Sequence, residues 1–73
     1  MSKTIDLLLI GKSIKALRLE RHLTQEQLAD LLGCTTRSIR RYEAEGTTNI
    51  AVVNEFAERL GVSALDILDG DVL

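Results

Sequence analysis

Two helical patterns in this chain are separated by almost nothing. A segment from about residue 25 is expected to carry Leu28, Leu31 and Leu32 inward on a helix, and another helical segment begins at about Thr36. Only Gly33, Cys34 and Thr35 stand between them. Gly33 lacks a Cβ and accepts the left-handed conformation that ends a helix, while Thr35 is a good N-cap for the next. Helices joined by so tight a glycine turn must cross at a steep angle, which is the helix-turn-helix arrangement. The turn therefore predicts an all-α domain built around it.

The start of the first of these helices is equally well marked. Thr24 and Gln27 have the spacing of a capping box, and Leu23 and Leu28 stand at the two ends of a hydrophobic staple. Upstream, Leu7, Ile10, Ile14 and Leu17 recur at steps of three and four, one face of a first helix with Lys12, Lys15 and Arg18 near it or opposite. Leu8 and Leu9 fall off that stripe and mark either a broad buried face or spare apolar surface. The third helix is predicted from about Thr36 to Ala44, ending near Gly46. Asn49 caps a fourth that carries Ile50, Val53, Ala57 and Leu60 and closes at Gly61. Ser63, with Asp66 three residues on, begins a short fifth through Leu65 and Leu68. These 73 residues, without repeats or linkers, give a single domain over 1–73, a compact five-helix bundle with its helix-turn-helix at about 24–45. At this size only modest stability is expected.

Charge is the next constraint. Nine bases and eleven acids leave a formal net charge of −2, which by itself argues against a nucleic-acid partner. The distribution reverses that inference. Residues 1–42 hold eight bases, Lys3 among them, against four acids, a net +4; residues 43–73 hold one base against seven acids, a net −6. A basic half can meet phosphate whatever the total. A lone Cys34 forms no internal disulfide and no cysteine zinc site. The most apolar stretch, Leu7–Ile10, is far too short for a membrane span and lacks a secretion-signal pattern, so a cytoplasmic protein without a membrane partner is expected. His22 has neither cysteine nor a second histidine near it, and no acid pair has an apolar setting for proton transfer. Gly11-Lys12-Ser13 resembles the end of a phosphate loop, but Asp6 stands where the required glycine would be. No catalytic residue, metal or cofactor is expected, and the chain is read as no enzyme.

At about 100° per residue, Thr36, Arg37, Arg40, Arg41 and Ala44 share an arc of about 140°, with Ile39 and Tyr42 pointing the other way. One side packs and the other offers three guanidiniums. An arginine fork fits guanine O6 and N7 in the major groove, or a phosphate, and threonine can meet a thymine methyl. The helix N-termini at Thr24-Gln25 and Thr35-Thr36 suit phosphate. The bland alternative is a solvated arginine face balanced by Glu43 and Glu45.

Residues 12–69 resemble the phage repressor/Cro type of helix-turn-helix domain. The marks run in order: Leu23-Thr24-Gln25, Leu28-Ala29, Gly33, Ile39, Tyr42-Glu43 and Leu60-Gly61-Val62-Ser63. The resemblance implies a third helix that enters the major groove of double-stranded DNA. It implies base reading by Thr36, Arg37 and Arg41, and backbone contacts from Gln25, Thr35 and Arg40. It also implies a partly buried ion pair between Arg18 and Glu43 that ties helix 1 to the end of helix 3. The chain departs from the pattern between helices 3 and 4, where relatives carry proline and bases. Here Ala44-Glu45-Gly46-Thr47-Thr48-Asn49 has no base, leaving Thr47, Thr48, Asn49 and backbone N–H groups to meet phosphate.

The function expected is a transcriptional regulator, a repressor, acting as a homodimer on an inverted repeat, since one such domain touches too few base pairs for specificity. Leu65, Leu68 and Val72, with Ile67 and Leu73, are the first candidates for the dimer interface because relatives often dimerise through this end; Leu8 and Leu9 are the second. The alternative is an adaptor or antitoxin-like protein whose main partner is another protein. A third reading, a piece of a longer repressor, is disfavoured because no linker-like sequence follows Leu68. His22 is read as an exposed helix-end residue, Cys34 as buried filler, and Tyr42 and Phe56 as core.

Overall fold

A computed structural model describes residues 6–73. Lys3 lies outside them. Five helices follow one another: α1 (Leu7–Glu20), α2 (Gln25–Leu32), α3 (Thr36–Glu45), α4 (Ile50–Leu60) and α5 (Ala64–Asp69). Among the described residues there is no strand. Every start has the cap its sequence demands. Asp6 accepts from the Leu8 and Leu9 N–H groups; Thr24 and Gln27 form a complete capping box; Thr35 accepts from Ser38; Asn49 accepts from Ala51 and Val52; Ser63 and Asp66 close a second capping box. Each such cap contributes about 1 kcal/mol, a large share for helices of six to fourteen residues. Gly33 takes φ +69°, the left-handed geometry that stops α2 and lets α3 start three residues later. The predicted boundaries hold, except that α3 and α5 each run one residue further, to Glu45 and Asp69.

The core is one cluster of Ile10, Ile14, Leu17, Leu28, Ala29, Ile39, Val53, Phe56, Ala57, Leu60 and Ile67. Full burial of each large side chain contributes about 1.5–3 kcal/mol. The Tyr42 ring meets Phe56 edge to face, with centroids 5.6 Å apart. α1 lies against both α3 and α5, so it is the central post of the bundle. Its approach to α3 depends on Gly11, which is buried against the Tyr42 and Glu43 carbonyls. A Cβ there would overlap the Glu43 oxygen. Gly11-Lys12-Ser13 is thus helix packing, with the Ser13 hydroxyl donating to the Leu9 carbonyl. Gly46 (φ +72°) is pressed as closely on the Leu7 carbonyl and docks the α3–α4 turn on the first turn of α1.

Four apolar expectations are corrected. Leu31 is exposed, because Leu28, Leu32 and Ala29 centre the inward face of α2 on its other side. Ile50 and Leu7 are also exposed: each opens its helix, where neighbours cover only one flank. Leu9 is not surplus. It is half-buried, with its side chain on Gly70, where an added Cβ would come within 2.7 Å of Leu9 Cδ1. Cys34 is half-buried against the core rather than fully enclosed, and burial pushes its thiol pKa up. His22 is exposed as expected, with φ +56° in the α1–α2 turn.

Candidate nucleic-acid interface

α3 divides by face as its sequence predicts. Ile39 is fully buried and Tyr42 packs against the core, while Arg37, Arg40, Arg41 and Ala44 are exposed and Thr36 is half-exposed. Arg37 and Arg40 make no ion pair among the described residues. Arg41 does: its Nε lies 3.4 Å from Glu45 Oε2, with both side chains largely in solvent. An arginine four residues before a glutamate is the weaker orientation for a helix, and Glu45 stands at the negative end of the α3 dipole. The contact therefore adds little to helix stability, while it leans the Arg41 guanidinium toward the C-terminal end of α3.

Thr35 holds the other end of α3. Its hydroxyl accepts from the Ser38 N–H and donates to Ser38 Oγ, both at 3.1 Å. With that hydroxyl engaged, the first-turn N–H groups of Thr36 and Arg37 are what this end offers to an anion. At the opposite end, Ser38, Arg41, Tyr42, Glu45, Gly46 and Thr47 line a shallow cleft of about 240 Å³. The Thr47 hydroxyl accepts from the Asn49 N–H, and Asn49 Oδ1 caps α4, so the Asn49 amide NH₂ remains to donate outward.

One carboxylate organises the back of this surface. Glu43 Oε2 accepts from Arg18 Nε at 2.6 Å and Oε1 from Nη2 on the same edge of the guanidinium at 3.1 Å, a bidentate pair. The pair is nearly enclosed, with side chains 10% and 5% exposed. Arg18 also donates to the Leu23 carbonyl at 2.9 Å, satisfying the residue before the α2 cap. Glu43 Oε1 receives a further bond from Gln25 Nε2 at 3.1 Å. A single acid thus joins α1, α2 and α3, and Arg18 carries the link on to the α1–α2 turn. The sequence resemblance implied the pair, but the third partner was missed. Gln25, expected to face DNA backbone, has one amide N–H committed to Glu43 and the second free.

The proposed dimer residues separate. Leu65 is 66% exposed, whereas Leu68 and Val72 pack partly on their own core. Among the described residues no cluster of acids, histidines or cysteines could hold a metal, and no helix is long and apolar enough to cross a membrane.

The α2–Gly33–α3 turn, with the two helices packed on each other, and the exposed arginine face of α3 define a helix-turn-helix domain. Residues 14–67 match the helix-turn-helix family, and the chain belongs to it, in its repressor/Cro-like branch. It is 35% identical over 65 residues to antitoxin PezA of Streptococcus pneumoniae serotype 4 (strain ATCC BAA-334 / TIGR4). That match takes in 86% of the chain but only 40% of the relative, so the chain spans about two fifths of the relative's length. Its fold is similar to that of the hypothetical transcription factor NHTF from Neisseria, with a TM-score of 0.78, 20% identity, and 93% of this chain and 85% of that one covered. The clp gene regulator ClgR from C. glutamicum is similar as well, with a TM-score of 0.75, 17% identity, and 93% and 90% covered.

Proposed function

We propose that this protein is a sequence-specific DNA-binding regulator of transcription, a repressor, that acts as a homodimer on an inverted repeat. The observation that carries the reading is the face of α3. Three exposed guanidiniums stand on a helix whose other side is held by the core, by the Thr35 cap and by Glu43. In this reading α3 lies in the major groove with Thr36, Arg37 and Arg41 on base edges and Arg40 on phosphate. Gln25, Thr47, Asn49 and the N–H groups after Thr35 hold the backbone. The acidic α4 and α5 face away from the duplex, which keeps the basic side turned toward it and limits adhesion to unrelated DNA. The protein works in the cytoplasm, without cofactor or catalytic step.

Selection of binding sites from random duplexes tests this. Each half-site is expected to contain a G·C pair whose replacement lowers affinity about 10-fold or more, and Arg37→Ala with Arg41→Ala should abolish retention of the selected duplex. A selection that enriches no sequence, or one that the double variant still binds, overturns the reading.

The likeness to an antitoxin supports a second reading, an adaptor whose main partner is another protein. Under it the double arginine variant keeps the partner complex intact while any DNA retention falls.

A further inference from the structure

The outward side of α1 is a narrow stripe that the bundle leaves uncovered. Leu8, Lys12, Lys15 and Leu19 are all exposed, and at 100° per residue they share an arc of about 60°. Leu8 and Leu19 are 63% and 53% exposed and lie about 16 Å apart along the axis, with the two ammonium groups between them. Neither lysine has an acidic partner among the described residues. The C-terminal edge has the opposite charge in the same kind of frame. Leu65 and Leu73 are 66% and 63% exposed, Asp69 and Asp71 are exposed between them, and residues 60–73 contain no base. These two surfaces are neighbours on one molecule, because α5 packs on α1 and Gly70 rests on Leu9.

We propose that a second copy of this chain docks here, the Leu8–Lys12–Lys15–Leu19 stripe of each protomer meeting the Leu65–Asp69–Asp71–Leu73 edge of the other about a two-fold axis. A basic and an acidic patch side by side on one surface are self-complementary under two-fold rotation, so one contact is made twice and the assembly closes at two. Leucines at the ends of both patches supply apolar contact, and the charges set register and exclude other pairings. The interface leaves the regulator's reading surface free. Gly11 and Arg18, which face α3, lie about 80° around α1 from the centre of the stripe, so the partner sits beside the α1–α3 layer and the arginines of α3 stay uncovered. Apolar docking at the C-terminal end and at Leu8 are then two halves of one surface, with Leu65 the exposed member and Leu68 and Val72 supporting it from the core. The inference rests on the dimeric regulator proposed above and names its interface.

Charge reversal tests it, because every substituted residue is exposed and fold can be checked by circular dichroism. Sedimentation equilibrium should show the unmodified chain as a dimer that weakens between about 0.05 and about 0.5 M salt. The K12E/K15E variant places acid against acid twice, and the D69K/D71K variant places base against base twice. Each should raise the dimer dissociation constant at least about tenfold. An equimolar mixture of the two pairs opposite charges at both contacts, and so does the chain carrying all four changes. Both should return to dimers. Unchanged association of either reversed variant, or failure of the mixture and the fourfold variant to recover, overturns the interface. Binding to the selected duplex is read on the same samples. An unmodified chain that dimerises by this surface but retains no DNA removes the regulator and keeps the interface; one that binds half-sites as a monomer does the reverse.

Discussion

Glu43 is where a single atom group can be removed with the largest calculable effect. Its carboxylate accepts three bonds, two from Arg18 and one from Gln25, at a site almost closed to water. Glu43→Ala leaves the Arg18 guanidinium buried with the Leu23 carbonyl as its remaining partner. Stranding one member of a buried pair costs about 3–5 kcal/mol. A domain of 73 residues has about 4–11 kcal/mol of stability in total, so the variant should lose about a quarter of it at least. At about 4–8 °C per kcal/mol for a domain of this length, the midpoint of thermal unfolding should fall by 12 °C or more. Urea titration followed by helical circular dichroism measures this directly. The control is Arg18→Met combined with Glu43→Leu, which removes both charges and fills the same volume. It should lie within about 1 kcal/mol of the unmodified protein, since paired burial returns little net stability. A Glu43→Ala cost below about 1 kcal/mol, or a double variant as unstable as the single one, would refute the claim that this carboxylate holds the three helices.

The same reasoning fixes other outcomes. Alanine normally improves a helix interior over glycine by about 1 kcal/mol, but Gly11→Ala should destabilise by about 1–3 kcal/mol, because its Cβ would meet the Glu43 carbonyl; a gain in the urea midpoint would count against the close α1–α3 approach. Glu45→Gln should tighten binding to the selected duplex about 3–10-fold near 0.1 M salt, by freeing Arg41 and removing an acid from the cleft, with little change in unfolding; weaker binding would mean that the Arg41–Glu45 contact positions the reader. The turn from Ala44 to Asn49 has no base, so a titration from about 50 to 300 mM salt should give a log–log slope shallower than about −6, and a steeper slope would reveal more phosphate contacts than this surface offers. Burial raises the Cys34 thiol pKa, so its folded form binds its proton more tightly than the unfolded chain does. Alkylation should be slow at neutral pH, and this group's contribution to stability should fall as pH rises through the alkaline range; modification at the rate of a free thiol would contradict this.

Much of the fold was legible because caps and turns are local. Thr24-Gln27, Ser63-Asp66 and Gly33-Cys34-Thr35 state where helices begin and stop within four residues, and the structure follows them. The division of α3 into Ile39 against Arg37, Arg40 and Arg41 follows from helical period alone. What could not be read depends on which helix comes to lie beside which. Nothing near Gly11 in sequence names Glu43 as its neighbour, though an uncapped glycine inside an amphipathic helix is itself a signal of close packing. Leu31 and Ile50 fit a helical stripe and still face solvent, because the stripe does not say where its centre lies. Gln25 has the composition of a phosphate ligand, and its bond to Glu43 depends on the α2–α3 crossing angle.

The shared carboxylate has a consequence for the sequences this protein would select. With α1, α2 and α3 tied at Glu43 and the turn locked by Gly33, the angle between α3 and its support has little room to change. A stiff reader cannot adjust to its duplex, so the duplex must adjust to it. For the dimer proposed above, the spacing of two half-sites would then be an elastic problem for the base pairs between them. Steps that twist or bend easily would be favoured there and rigid A-tracts accepted only where their natural curvature fits, so that part of the operator would be written in the mechanics of DNA rather than in hydrogen bonds.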